Sequence, residues 1–326
     1  MGRPFERGPE RPQAQGRGTG RPIVDGRENL SAPPALDSAL LVIALAGVSF
    51  SGPLMAATAA PALAIAFWRN ALGAGVTALF VGTRHLAQLR DLDRRAVGVA
   101  AVAGVALAVH FATWVPSVTM TTVASATALV STQAIFVALI ARWRGRNLPS
   151  AAWVGVVVAT IGTALITGAD VGTSGRALAG DALAIAGGLS AGVYVTIGAQ
   201  ARRRMTTASY TVICYTVCSL VLFGACLLGR VPLHGFSTNA WVKIVLVTVA
   251  AQLLGHSLIN LVLRSTSATV VSLAILLETP GAGIVAYVWL HQRPPWTAIP
   301  GLALLFAGLV VVARSRGEGA PLEALE

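Results

Sequence analysis

AQLLGHSLIN, residues 251–260, lies inside an apolar run and sets Gln252, His256 and Asn260 four residues apart. That spacing puts the three polar side chains on one face of a helix. The flanks, from Trp241 to Leu263, are almost all Val, Leu, Ile or Ala. In water the stripe would be an ordinary solvated face. In lipid it marks the side of a spanning helix that turns away from hydrocarbon, toward protein or a wet cavity. The solvent therefore decides the fold, and the rest of the chain identifies the solvent.

The chain has 326 residues, 55% hydrophobic and only 11% charged, with a mean hydropathy of +0.72. A soluble domain carries about 25% charged residues, so this composition is built for a bilayer. The net charge of +11 comes almost wholly from arginine, Lys243 being the only lysine. These arginines fall between apolar runs and not along one face, which argues against nucleic-acid binding. Cys214, Cys218 and Cys226 share one apolar segment and read as small packing residues. No metal-ligand spacing occurs and no cofactor is expected. Residues 1–37, rich in Arg, Gly, Pro and Gln, have no apolar periodicity and are expected to be a disordered basic tail. The stretch MAATAAPALA, residues 55–64, imitates a signal-peptidase site. The first apolar run is nonetheless kept, because the repeat described below requires it.

From Ala39 onward, apolar runs of about 20 residues alternate with short polar breaks, each long enough to cross a bilayer as a helix. Ten are expected, at roughly 38–58, 62–82, 96–118, 121–143, 151–168, 180–200, 210–229, 241–263, 267–290 and 295–314. None shows the alternation of barrel strands. With both termini cytoplasmic, 19 basic residues fall inside and four (Arg176, Arg230, Lys243 and Arg293) outside. That bias follows the positive-inside rule and predicts a multi-pass protein of the cytoplasmic membrane. Trp143 and Trp153 near the inner interface, and Trp241, Trp289 and Trp296 near the outer, read as interfacial anchors.

Shifted by 146 residues, the chain meets itself: Pro149 falls on Pro295, Ala152 on Ala298, Gly155 on Gly301 and Gly162 on Gly308. A weaker match at an offset of 141 sets GVS (47–49) on GLS (188–190). The fold class expected is all-α and integral to the membrane, with ten helices as two inverted five-helix repeats, 38–168 and 180–314. A short cytoplasmic tail, 315–326, follows. Such repeats build many secondary transporters, whose substrate site lies near the midplane between the halves.

Polar groups in the wrong solvent locate that site. Arg69, His110, Gln133, Tyr194, Gln252, His256 and Glu278 fall within about 6 Å of the midplane at 1.5 Å per helical residue. With Trp114 and Asn260 they are the candidate substrate- and ion-binding residues. For each a structural role competes: Arg69 can pair with Glu278 or snorkel, and His110, Gln133, His256 and Asn260 can hydrogen-bond neighbouring helices. Glu278 is the sharpest candidate, as the one acid read as deep within a run; Asp181 is placed at a helix start and Asp170 at a helix end. Glu278 precedes Pro280 and Gly281, which with Pro53 are the candidate hinges.

These segments resemble the drug/metabolite transporter superfamily, of the type built from two EamA domains. The resemblance covers about residues 38–315. It is carried by HFATWVPSVTMTTVASATALVSTQAIFVAL (110–139), GDALAIAGGLSAGVYVTIGAQARR (180–203), QLLGHSLINLVLRSTSATVVSLAILLETPGAGIVAY (252–287) and GLALLFAGLVVV (301–312). It implies ten helices, inverted repeats and movement of small metabolites or drugs, often outward. The chain departs from the family at three places. Ala134 stands where the fourth helix commonly has proline, opposite Pro280 in the repeat alignment. His291 and Gln292 replace the usual Gly-Glu, and RWRGRN (142–147) lacks the usual acid. A weaker hinge in the first half is expected from Ala134.

The function expected is a secondary transporter of a small metabolite, amino acid or drug, working by alternating access. Its partners would be the substrate, protons and the bilayer; the sequence is compatible with a homodimer. A carboxylate that can take up and release a proton in an apolar cavity suits proton coupling. The alternatives are an intramembrane enzyme, with Ser49, Ser51 and His256 as a conceivable dyad, and a non-transporting membrane sensor. No HExxH, GxSxG or Walker A pattern supports enzymatic or ATP-driven chemistry.

Overall fold

The computed structural model describes residues 35–84, 92–145, 149–171, 174–202, 205–255, 258–259, 262 and 276–317. Among these there is no strand. The helices are α1 (Ala35–Ser49), α2 (Ser51–Ala56), α3 (Ala62–Arg84), α4 (Arg94–Met120), α5 (Val123–Val130), α6 (Gln133–Trp143), α7 (Ser150–Val171) and α8 (Gly175–Arg202). After them come α9 (Thr207–Leu228), α10 (Thr238–Val247), a π-helical segment (Thr248–Gly255), α11 (Glu278–Leu290), a 3-10 turn (Trp296–Ala298) and α12 (Ile299–Gly317). Among the described residues, seven stretches are long and apolar enough to cross a membrane: 35–56, 62–82, 94–120, 123–143, 175–198, 208–228 and 238–255. Two shorter apolar helices, Ser150–Ile166 and Trp296–Val312, join them. Large apolar side chains such as Leu36, Leu79, Val154, Leu220 and Val288 are exposed on the outside of the bundle. This is the surface a helical bundle presents to lipid.

Three apolar runs are interrupted. The first breaks at Phe50, between α1 and α2. Pro53, buried in α2, has no N–H to return to the carbonyl one turn back. The fourth breaks at Ser131 and Thr132, between α5 and α6, although it has Ala134 in place of proline. Here hydroxyls take over backbone acceptors: Ser131 Oγ donates to the Thr127 carbonyl at 2.9 Å and Thr132 Oγ1 to that of Leu129 at 2.6 Å. The proline expected from the resemblance is thus not needed for a break. In the eighth run the α-helix gives way to the π segment that contains Gln252. Such wide turns recur at functional sites. In the ninth, α11 begins at Glu278 and carries Pro280 within its first turn, where a missing N–H costs little. His256 and Asn260 lie outside the described residues.

One expectation is corrected by helix length. Asp181 was placed at a helix start, but α8 begins at Gly175, so Asp181 sits inside the helix and is 0% exposed. Glu278 is therefore not the one acid within a run. Apolar periodicity does not register the extra turn, because GRALAG (175–180) mixes small and polar residues.

The fifth and last apolar runs, α7 and α12, form the tightest seam. A Cβ on Gly155 would stand 2.7 Å from the Gly308 carbonyl oxygen, and one on Gly308 2.6 Å from that of Gly155. Gly162 and Gly301 meet in the same reciprocal way, at 2.7 and 2.8 Å. Small residues let the two backbones touch, and dispersion between them replaces the hydrophobic drive that lipid cannot supply. The offset that sets Gly155 on Gly301 and Gly162 on Gly308 turns each of these contacts into the other.

Gly162→Leu is expected to break this seam. Thermal unfolding in detergent should show a loss of about 1–3 kcal/mol, as for an overpacked core. Gly168→Ala, at a position where a Cβ meets nothing within 4 Å, should leave the midpoint unchanged. Equal midpoints for the two variants would contradict the seam.

Candidate functional site

The site is built around Arg69. Its helix, α3, carries the guanidinium into the bundle, where it is 2% exposed. Arg69 Nε donates to Gln252 Oε1 at 3.4 Å, and Nη1 reaches Ser51 Oγ at 3.3 Å and Met55 Sδ at 3.4 Å. The guanidinium carbon lies 4.5 Å from the ring centroid of Phe111, a cation–π contact. Glu278 and Tyr215 interact with it electrostatically. The segments that meet here are α2, α3, α4, α9, the π segment and α11. Two of them carry the interruptions described above: Ser51 follows the break at Phe50, and Gln252 sits in the π segment.

Gln252 is 3% exposed and held from both sides. Its Oε1 accepts from Arg69, which turns Nε2 against Gly73, one turn along α3 from Arg69. A Cβ on Gly73 would collide with that nitrogen. The amide orientation follows from chemistry, since Nε2 cannot accept from a guanidinium. Tyr215 on α9 adjoins the same amide.

Phe111, the ring against the guanidinium, belongs to an aromatic cluster on α4. His110 stacks on Trp114 with centroids 5.5 Å apart and meets Phe111 edge-on at 4.8 Å. His110 Nδ1 lies 3.0 Å from the Gly187 carbonyl oxygen on α8. That bond is the interhelical role weighed for it in the sequence. Trp114 is 5% exposed, and its Nε1 makes no hydrogen bond.

Of the hinge candidates, Gly281 packs against the first run ahead of its break. A Cβ on Gly281 would collide with Ser49 Oγ, so the start of α11 packs on the end of α1 just ahead of Pro53. Ser131 Oγ lies 3.2 Å from Thr279 Oγ1, which joins the fourth run's break to the first turn of α11.

Of the residues read from the sequence, the structure therefore sets Gln252 against Arg69, while Glu278 acts on it only through charge and His110 and Trp114 lie on the helix whose Phe111 meets it. Gln133, at the start of α6, and Tyr194, on α8 beside Tyr210, are half-buried and show no contact with Arg69. His256 and Asn260 fall outside the described residues. Met55, Phe111 and Tyr215 are not among the residues the sequence points to, and Ser51 enters there only in the alternative enzyme reading. Ser51, two residues before Pro53, had a local signal in that break; the others looked like ordinary apolar positions.

A family model described as the EamA-like transporter family matches residues 178–314. That match agrees with the resemblance to the drug/metabolite transporter superfamily read from the sequence. No curated protein matches the chain. The fold is similar to that of a solved crystal structure at a TM-score of 0.60 and 16% identity, covering 85% of this chain and 97% of the other. The family is one of membrane transporters, and the multi-pass helical architecture agrees with it.

Gln252→Leu should uncover the dependence of Arg69 on its one amide partner. The variant is expected to unfold about 1–3 kcal/mol more easily, the cost of stranding a buried donor. Calorimetry in detergent checks this, and a midpoint equal to wild type would show that the amide does not support the guanidinium.

Proposed function

We propose that this protein is a secondary transporter that moves a small metabolite, amino acid or drug outward across the cytoplasmic membrane by alternating access. In this reading ten helices form two inverted repeats, residues 38–168 and 180–314, with both termini cytoplasmic. The observation that carries it is the buried polar centre. Arg69 and Ser51 from the first half meet Gln252 from the second, within the electrostatic reach of Glu278 and next to interrupted helices. A group bound there touches both halves, so a rocking of one half against the other changes its access without moving the site.

The exchange of the Gly155–Gly308 and Gly162–Gly301 contacts under the 146-residue offset supports the inverted repeat. It is the signature of a two-fold relation, in which residue i meets j and j meets i. The seam of α7 and α12 would then be the fixed axis. The break in the fourth run and the first turn of α11, joined by Ser131 and Thr279, would be the moving parts.

Glu278 is the proton or cation carrier in this scheme, exchanging a proton for substrate or for the attraction of Arg69. Flux of a mixture of labelled amino acids and of ethidium, measured in proteoliposomes with and without a pH gradient, tests the coupling. The wild type should respond to the gradient, and Glu278→Gln should lose that response by about tenfold or more, equivalent to 1.4 kcal/mol. Gradient-driven flux at the wild-type rate in Glu278→Gln would remove Glu278 from the coupling.

A further inference from the structure

The end of α11 remote from Glu278 carries a cavity that the centre around Arg69 does not use. Its volume is about 300 Å³, and Tyr287, Val288, His291 and Arg293 line it. The Arg293 guanidinium lies 5.5 Å from the Tyr287 ring centroid, a cation–π contact that fixes where the charge stands. Its nearest acid along the chain, Glu278, opens α11 at the other end.

The loop that carries the cavity is held by one residue. Gln292 N–H donates to the Ala286 carbonyl at 3.2 Å and closes the end of α11. Gln292 Oε1 accepts from the Val123 N–H at 3.1 Å and caps the start of α5. His291 and Arg293 flank this anchored residue. His291 has a φ of 54°, in the left-handed region that favours glycine. An imidazole is therefore kept at this position against backbone strain.

Depth and polarity point to the occupant. Glu278 lies within about 6 Å of the midplane by helical rise. Since α11 has 13 residues, its far end stands about 20 Å beyond Glu278 at about 1.5 Å per residue. Half the hydrocarbon core is about 15 Å, so His291 and Arg293 reach the lipid headgroups. On the same helix face, one and two turns before His291, Val288 and Ile284 are 66% and 64% exposed. An apolar stripe thus leads up to a cation and an imidazole. The carbonyl end of a helix repels anions with about half a unit charge. The full charge of Arg293 stands beyond that end and outweighs it.

We infer that this cavity binds an anionic glycerophospholipid of the outer leaflet in the proposed orientation. Its phosphate lies between Arg293 and His291, and an acyl chain runs along Val288 and Ile284. Tyr287 positions the guanidinium. Because Gln292 joins this loop to α5, a bound headgroup braces the outer ends of α11 and α5 together.

Native mass spectrometry of the full-length protein, delipidated in detergent and titrated with dioleoylphosphatidylglycerol or dioleoylphosphatidylcholine, tests this. The anionic lipid should bind at least about fivefold more tightly, the worth of one arginine near a headgroup. Arg293→Gln should remove that preference. Arg230→Gln, at an exposed arginine outside the cavity, should keep it. His291→Gly should raise the thermal midpoint of the lipid-free protein, because the left-handed strain is relieved. It should also weaken the anionic lipid several-fold, which a purely structural histidine would not do. Equal binding of the two lipids, equal losses in Arg293→Gln and Arg230→Gln, or undiminished lipid affinity in His291→Gly would overturn the inference. So would displacement of the lipid by an equal concentration of inorganic phosphate, which would mark a site for the free anion, or a lipid-free protein dimer that excludes the lipid. Binding is read without transport, so these outcomes are independent of the transporter proposal.

Discussion

The architecture turns on the burial of one guanidinium. Arg69 cannot shed its charge, and lipid offers it no hydrogen bond. A charge at the centre of a bilayer costs about 2.5–3.5 kcal/mol even on scales that allow it to snorkel. Arg69 does not snorkel; it is 2% exposed and surrounded by protein. The surrounding helices therefore have to bring polar groups to it. They do so with Ser51, Gln252 and the face of Phe111, from three separate segments. The packing of α2, α3, α4 and the π segment is organised by that requirement as much as by apolar contact.

Satisfying a buried charge this way has a mechanical consequence. Ser51 follows the break at Phe50, Gln252 sits in a π segment, and Glu278 opens α11. Interrupted helices release carbonyls and N–H groups from the regular ladder and permit local adjustment. By contrast α7 and α12 are continuous and locked through glycines whose backbones touch. A rigid seam and a polar centre flanked by interruptions are the division of labour that the proposed alternating-access cycle requires. The same division explains why Ala134 need not weaken the first half. Ser131 and Thr132 already break the fourth run by capturing carbonyls with their hydroxyls.

Much of this was legible in the sequence because lipid is an unforgiving solvent. Apolar length alone marks the helices, and a polar residue in such a run is informative by its rarity. Arg69, Gln252 and Glu278 were visible for that reason. The partners that complete the site were not. Phe111, Met55 and Tyr215 have side chains that an apolar run would carry anyway, and only their placement gives them a role. The offset glycines were visible as a repeat, but not that Gly155 would meet Gly308 and Gly162 would meet Gly301. The π segment has no sequence signal, since TVAAQLLG (248–255) fits an α-helix equally well. Asp181 was misplaced because the start of α8 is written in small residues, which have no apolar period.

The central claim is that both halves move about one fixed polar centre. Spin labels at Ala59 and His234, and in a second sample at Arg144 and Thr206, span the two ends of the bundle at exposed positions. Double electron–electron resonance in lipid nanodiscs measures both distances. The account predicts two populations at each end, shifting in opposite directions: conditions that lengthen one end's distance shorten the other's. A single narrow distance at both ends, unchanged by pH, would contradict it.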